Sequence, residues 1–227
     1  MSVSTSNTDI FLLEGFPAAC TLVRTDLSIQ VQCNNGSMST SPVLRISELE
    51  YLAKERAADF KSEFVGGEVY AMSGGTVRHS RLAGKVFYQL ESRLEGSTCL
   101  PFTSDLRIRT PKGNQFYPDV SVVCGSAETY AGSDVCTNPT LIVEVLSPST
   151  SNYDRGLKFE LYRQIPSLQE YLILHQDAVY AEHHSRQPDG SWLLREYRGE
   201  DAHIPLIALR CELPLGTIYS GVMELPG

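Results

Sequence analysis

The run Pro139-Thr140-Leu141-Ile142-Val143-Glu144-Val145-Leu146-Ser147-Pro148 limits the folds open to this 227-residue chain more than any other stretch. It is apolar on both faces, the pattern of a central strand in a covered sheet. A proline closes it at each end. In its middle sits a carboxylate, Glu144. Burying a lone anion is very costly unless a metal, a cation or hydrogen-bond donors meet it. Glu144 therefore either has a structural partner, such as a buried Arg or Lys, or binds a cation that does chemistry.

The flanking patterns place helices around that strand. Ser47-Glu48-Leu49-Glu50 reads as a capping box, with a helix running to about Asp59. Gly66-Gly67 between alternating segments marks a hairpin. Leu82, Val86, Leu90 and Leu94 recur every fourth residue, and Gly96 follows. That predicts an amphipathic helix over 76–94. Strands are expected over 105–110 and 115–124, joined by the turn Pro111-Lys-Gly-Asn114. Residues 125–138 read as a polar loop. A helix from about Asp154 to Gln164 is stopped by Pro166, and three strands follow over 169–175, 179–185 and 192–198. A short closing helix is expected over 218–223. This order gives a mixed sheet with helices on its faces, an α/β or α+β domain.

Residues 1–41 are rich in Ser, Thr and Asn and show no sustained period, so they read as a poorly ordered extension before a domain over 42–227. The net charge of −8 argues against a sequence-independent nucleic-acid binder, but leaves room for a local basic groove. Cys20, Cys33, Cys99, Cys124, Cys136 and Cys211 form no CxxC pair, which argues against zinc. The apolar stretch from Ile10 to Cys20 is flanked by Asp9 and Glu14 with no basic residue before it, unlike an export signal. The reading is a cytoplasmic protein with free thiols. No run is long enough to span a membrane.

Three residues form a chemical pattern. Asp119 follows Pro118 in one expected strand, Glu144 lies in the next, and Lys158 lies on the helix after it. If the strands are neighbours, both carboxylates point to one site. Two carboxylates suit Mg²⁺, a hard cation that takes oxygen ligands and keeps several waters. A cation so held polarises a phosphate and activates water, and a nearby Lys offsets developing charge. Plainer readings stand beside each residue: Asp119 as a strand-edge polar group, Glu144 as half of a buried ion pair, Lys158 as the i+4 partner of Asp154. His183 and His184 are neighbours on a strand and take opposite faces, so they are read as surface residues rather than a joint metal site. Tyr162 and Tyr171 read as core packing.

Tyr117-Pro-Asp-Val-Ser-Val-Val123, Leu141-Ile-Val-Glu-Val-Leu-Ser-Pro-Ser149, Asp154, Lys158, Tyr162 and Glu170-Tyr171 together resemble the Uma-type restriction endonuclease family, within the PD-(D/E)xK nuclease superfamily. Glu63-Phe-Val-Gly-Gly67-Glu68 followed by His79 is similar to its N-terminal signature. The resemblance covers roughly 43–222. It implies a restriction-endonuclease-like mixed sheet flanked by helices and a Mg²⁺-dependent (or Mn²⁺-dependent) endonuclease acting on phosphodiester bonds in DNA. Asp119 and Glu144 would be the metal ligands, with the Val145 carbonyl contributing. Glu63 and His79 would be accessory groups. The superfamily places its lysine two positions after the second acid, where this chain has Leu146; Lys158 matches the family's later lysine. The alternative is a nuclease-like fold acting as a binding or regulatory module. A homodimer is the expected assembly if both strands are cut.

Met38-Ser-Thr-Ser-Pro42 has the form of a second start, so the native product is expected to begin at Met38. Intact-mass measurement of the protein from its native source checks this: a mass lacking the first 37 residues supports it, and a full-length mass refutes it.

Overall fold

The computed structural model describes residues 20–25, 28–33, 45–72, 74–146 and 153–227. They fall into two compact units, Met1–Leu44 and Arg45–Gly227. In the first, β1 (Cys20–Thr25) and β2 (Ser28–Cys33) pair antiparallel, with Cys20 opposite Cys33. The rest of the expected extension, Met38 included, lies outside the described residues.

The second unit is a mixed α+β domain built on a six-stranded and a five-stranded sheet, with a further two-stranded hairpin. Its first helix, α1 (Glu48–Ala57), starts at the expected capping box, with the Ser47 side chain accepting from the Glu50 amide and the Glu50 carboxylate accepting from the Ser47 amide. The glycine hairpin joins β3 (Ser62–Val65) to β4 (Glu68–Ala71), and Gly66 and Gly67 both adopt positive φ, as a type I′ turn demands. The long helix α2 (Val77–Leu94) is capped by Thr76 and buries Leu82, Val86, Leu90 and Leu94.

The larger sheet has six strands. Its core strand is β10 (Leu141–Leu146), with every residue buried. On one side lies β8 (Val120–Cys124), antiparallel, followed by β5 (Cys99–Thr103) at the edge. On the other side lie β11 (Glu170–His175), parallel to β10, then β12 (Tyr180–Arg186) and β13 (Trp192–Arg198). A smaller sheet has the order β4, β3, β7 (Gln115–Phe116), β6 (Arg107–Arg109), β9 (Val135–Cys136).

Alternation along β10 divides the core. Leu141, Val143 and Val145 pack with Leu82, Val86 and Leu90 of α2 and with the hairpin of β14 (His203–Leu206) and β15 (Cys211–Pro214). The closing helix α4 (Leu215–Tyr219) joins that layer and lies slightly earlier than expected. Ile142 and Leu146 face the opposite layer, where Phe116, Tyr162, Ile165 and Tyr171 pack. Glu144 shares that second face by parity.

The structure corrects four expectations. The strand expected over 115–124 is two strands in two sheets, β7 and β8, separated at Tyr117-Pro118-Asp119. Pro118 has no amide to donate to a ladder, so pairing breaks there. The polar loop holds β9, and the short strands β5, β14 and β15 had no sequence signal; β5 and β14 each contain a proline. The expected helix at 154 opens with a π-helical turn, Asp154–Lys158, before α3 (Phe159–Tyr162). Finally, Cys99 and Cys124 are not free thiols: they face one another across β5 and β8 and form a disulfide. Cys136 and Cys211 are free.

This bridge ties an edge strand to the strand that begins beside Asp119. With its ends 25 positions apart in the sequence, chain-entropy arguments give it about 3.5 kcal/mol of stabilisation. Cys99→Ser is expected to lower the midpoint of thermal unfolding in non-reducing buffer, while dithiothreitol should reproduce the loss in the unmodified chain and add nothing to the variant. Equal melting of all four samples would contradict the bridge.

Candidate active site

The break at Pro118 decides where Asp119 stands. Val120, Ser121 and Val122 pair with Val143, Ile142 and Leu141. Continuing that register by one residue sets Asp119 opposite Glu144. The ladder is finished by the Asp119 side chain instead: its Oδ2 accepts the Val145 amide at 2.7 Å. Its Oδ1 lies 2.9 Å from Nε2 of His79, in the first turn of α2. Two elements therefore fix one carboxylate.

Glu144 lies on the same face, deeper. Its Oε1 accepts from the Tyr162 hydroxyl at 3.1 Å and from Lys158 Nζ at 3.4 Å. Lys158 reaches it from the end of the π-helical turn, and its ammonium also lies 2.9 Å from Glu63 Oε1 and 3.3 Å from Asp154 Oδ1. Glu63, Glu144, Asp154 and Lys158 are 5, 3, 3 and 7 % exposed. The Tyr153 hydroxyl donates to Glu63 Oε2 at 3.4 Å, and that of Tyr171 to the Asp154 carbonyl at 3.0 Å. One ammonium thus faces three carboxyl groups, with a fourth, Asp119, in electrostatic reach of Glu144.

The charges follow from this crowding. Burial holds the Glu144 carboxyl well above its usual range; Lys158 opposes the shift, while Asp154, Asp119 and Glu63 add to it. Burial works against the Lys158 ammonium, yet Glu144, Glu63 and Asp154 outweigh it and hold its pKa well above the ordinary value. Burial also lowers the His79 imidazole, but its hydrogen bond to Asp119 and the Asp119 charge carry it above its ordinary value. Burial, then the Glu144 charge, raise the hydroxyls of Tyr162 and Tyr171, which remain neutral donors.

All the expected site residues except the Val145 carbonyl contact this cluster through their side chains; Val145 enters through its amide, on Asp119. Glu63 faces Lys158, whereas Glu68 turns away to Tyr70 and Arg45. Tyr162 packs in the core as expected, and its hydroxyl also reaches Glu144. Asp154, which the sequence offers only as the i+4 partner of Lys158 in the plainer reading, is a buried member of the cluster, and the i, i+4 spacing of Asp154, Lys158 and Tyr162 is the available signal. His183 and His184 are not surface residues: His183 is buried 3.3 Å from Glu170, and His184 packs on Phe159 and Tyr171.

The donor chemistry fits a hard divalent cation. Every acid in the cluster offers oxygens, and Glu63 Oε1 and Asp154 Oδ1 are buried against the Lys158 ammonium with no other donor among the described residues. Among the described residues no three of His, Cys, Asp and Glu converge as a ready-made metal cage. Mg²⁺ does not need one, because it is commonly held by one or two carboxylates plus water. Asp119 and Glu144 supply that number.

Residues 48–216 match the Uma2 family, described as "Putative restriction endonuclease". The chain belongs to the Uma2 family. The matched region contains Glu63, His79, Asp119, Glu144 and Lys158. Two Synechocystis sp. proteins are similar to this Uma2 chain. The uncharacterized protein slr1290 is 35 % identical over 184 residues, covering 81 % of this chain and 96 % of its own length. The uncharacterized protein sll1609 is 38 % identical over 161 residues, 70 % and 91 % of the two chains. The fold matches a crystal structure from Anabaena variabilis, titled a "putative nuclease belonging to DUF820", with a TM-score of 0.65 at 17 % identity over 78 % of this chain and 99 % of that one. The likeness to that structure shows a shared fold.

The surplus of carboxyl groups over cations makes a stability prediction. A carboxyl whose folded pKa is raised stabilises the fold only while protonated, and loses that contribution as pH rises through its folded value. In metal-free buffer near pH 8, Glu144→Gln is expected to raise the thermal midpoint by about 3 °C, roughly 1 kcal/mol for a chain of this size, with the gain vanishing below about pH 4. Lys158→Met, which leaves three buried acids unmatched, should cost about 3–5 kcal/mol. A large loss on Glu144→Gln, seen by calorimetry across pH, would mean that Glu144 and Lys158 form a simple structural pair.

Proposed function

We propose that this Uma2 protein is a divalent-metal-dependent endonuclease that hydrolyses phosphodiester bonds in DNA. In this reading Asp119, Glu144 and the Val145 carbonyl hold Mg²⁺ or Mn²⁺. The observation that carries it is the register of β8 against β10, which, continued one residue past Val120 and Val143, sets Asp119 opposite Glu144, with the Lys158 ammonium 3.4 Å from Glu144.

A divalent cation, when bound, supplies Lewis-acid polarisation of the phosphate and a bound water of lowered pKa. The protein's own groups do the rest. The Val145 amide and His79 fix the direction of the Asp119 carboxylate. Lys158 stays protonated and so serves as a charge and a hydrogen-bond donor, not as a general base. Its place is to orient the attacking water and offset charge gathering on the phosphate oxygens. It reaches Glu144 from the helix rather than from position 146, so the apolar Leu146 does not empty the site of its ammonium. Glu63 and Asp154 hold that ammonium in place.

Titration calorimetry with Mn²⁺ and Mg²⁺, alongside cleavage of single- and double-stranded DNA, tests the proposal. The unmodified chain is expected to bind metal and cleave. Asp119→Ala should abolish both, and Lys158→Arg should bind metal but cleave about 100-fold more slowly. Metal binding that survives Asp119→Ala, or the absence of metal-dependent cleavage, overturns the enzyme reading. The latter result leaves a nuclease-like binding module.

A further inference from the structure

The π-helical turn that carries Asp154 and Lys158 has a second anchor, outside the carboxyl cluster. Arg155 lies between those two residues in the chain. Its Nε donates to the two oxygens of Glu182 at 2.9 and 3.2 Å, and its Nη2 donates to Glu182 Oε1 at 2.7 Å. His175 Nε2 lies 2.9 Å from both Arg155 Nη2 and Glu182 Oε1. The His175 ring packs on Tyr180 with centroids 4.2 Å apart, and its backbone carbonyl accepts from the Tyr219 hydroxyl. Glu182 is buried. Burial raises its carboxyl, but the hydrogen bonds and charges of Arg155 and His175 outweigh that and hold its pKa below the ordinary value.

Strand register places this clamp and the candidate site in one row. Glu144 of β10 is partnered by Ile173 of β11, and Ile173 by Glu182 of β12. Direct partners in a sheet point to the same face, so the three side chains line up across three strands. With neighbouring strands about 4.8 Å apart, the two acids stand roughly 10 Å from one another. Arg155 and Lys158, three residues apart on the turn, each meet one of them. Two charge contacts on one sheet row therefore fix both the position of the turn and its rotation. The π-helical form is rare and recurs as single turns at functional sites. Winding the same residues as an ordinary α-helix would change the angle between Arg155 and Lys158 about the axis and turn one of them off its acid.

We propose that Glu182, acting through Arg155 and braced by His175, is a positioning residue for the Lys158 ammonium: it holds the π-helical turn in the rotation that sets Lys158 on Glu144 and Glu63. The inference rests on the nuclease reading for its consequence in catalysis, and deepens it by adding a residue two strands away from Glu144. Glu182 touches neither the cluster's acids nor Lys158 through any printed contact of its own side chain; its effect passes along the backbone from Arg155 to Lys158.

The test is hydrogen–deuterium exchange of the full chain in metal-free buffer, read on peptides from 153–162, together with Mn²⁺ titration and cleavage kinetics. Glu182→Leu and Arg155→Met are each expected to speed exchange in the turn at least tenfold. The double variant should go no faster than the quicker single, as for two halves of one interaction. Glu182→Gln, which keeps the size but not the charge, should show the same change in smaller degree and serves if Glu182→Leu fails to fold. Glu196→Gln alters the next residue of the same row, which holds Tyr180 and Arg198 instead, and should leave exchange and cleavage as they are. Turnover in Glu182→Leu should fall at least tenfold while Mn²⁺ affinity and KM for DNA stay within twofold, a split that general loosening of the fold would not give. Exchange in the turn unaltered by both Glu182 variants, or a double variant whose effect is the sum of the singles, overturns the inference. A chain that cleaves no DNA yet loosens its turn in these variants sinks the nuclease reading and keeps the clamp. Cleavage by the unmodified chain, with the turn unmoved in the variants, does the reverse.

Discussion

One buried ammonium among three carboxyl groups is the constraint on which this protein turns. Lys158 touches Glu63, Glu144 and Asp154, which come from three separate elements: strand β3, strand β10 and the π-helical turn before α3. Removing charges from water is costly for each of them, and one cation does not balance so many acids. Tyr153 and Tyr162 donate neutral hydrogen bonds to Glu63 and Glu144 that lessen the cost without neutralising it. A fold assembled only for stability would fill this place with apolar side chains. This unbalanced polar knot is what marks these residues as the candidate site.

The fold delivers that knot through a break in a strand. Pro118 ends one sheet and lets the next begin, and the residue after it finishes the ladder of β10 with its side chain. The same carboxylate takes the His79 ring from α2, so a helix on one layer and a strand of the other meet at Asp119. The apolar layer of α2 and β10 sets the distance between them. Packing on one face of the large sheet thereby sets geometry at the edge of the other.

Much of this was legible in the chain. The four-residue spacing of Leu82 to Leu94 gave α2, the capping box gave α1, and the doubly apolar run 141–146 gave the central strand, because each is a local pattern with one physical meaning. Glu144 stood out since a carboxylate in such a run is expensive. What the sequence could not convey was non-local. Tyr117-Pro118-Asp119 reads as a strand interior until the two sheets are known. The short strands β5 and β14, each interrupted by proline, exist because neighbours pair with them. The Cys99–Cys124 bridge joins residues whose closeness follows only from the register of β5 against β8. The burial of Asp154 is not legible locally, because the Lys158 it meets is itself enclosed by Glu63 and Glu144 from distant strands.

The central claim is that Asp119 and Glu144, matched in register, are the two oxygen donors of one cation site. Anomalous diffraction from a crystal soaked in Mn²⁺ addresses it most directly. The account predicts one strong peak within about 2.3 Å of an oxygen from each carboxylate, lost in crystals of the Asp119→Ala variant. A soaked crystal with no peak between them, and with Lys158 still occupying the space, would contradict it.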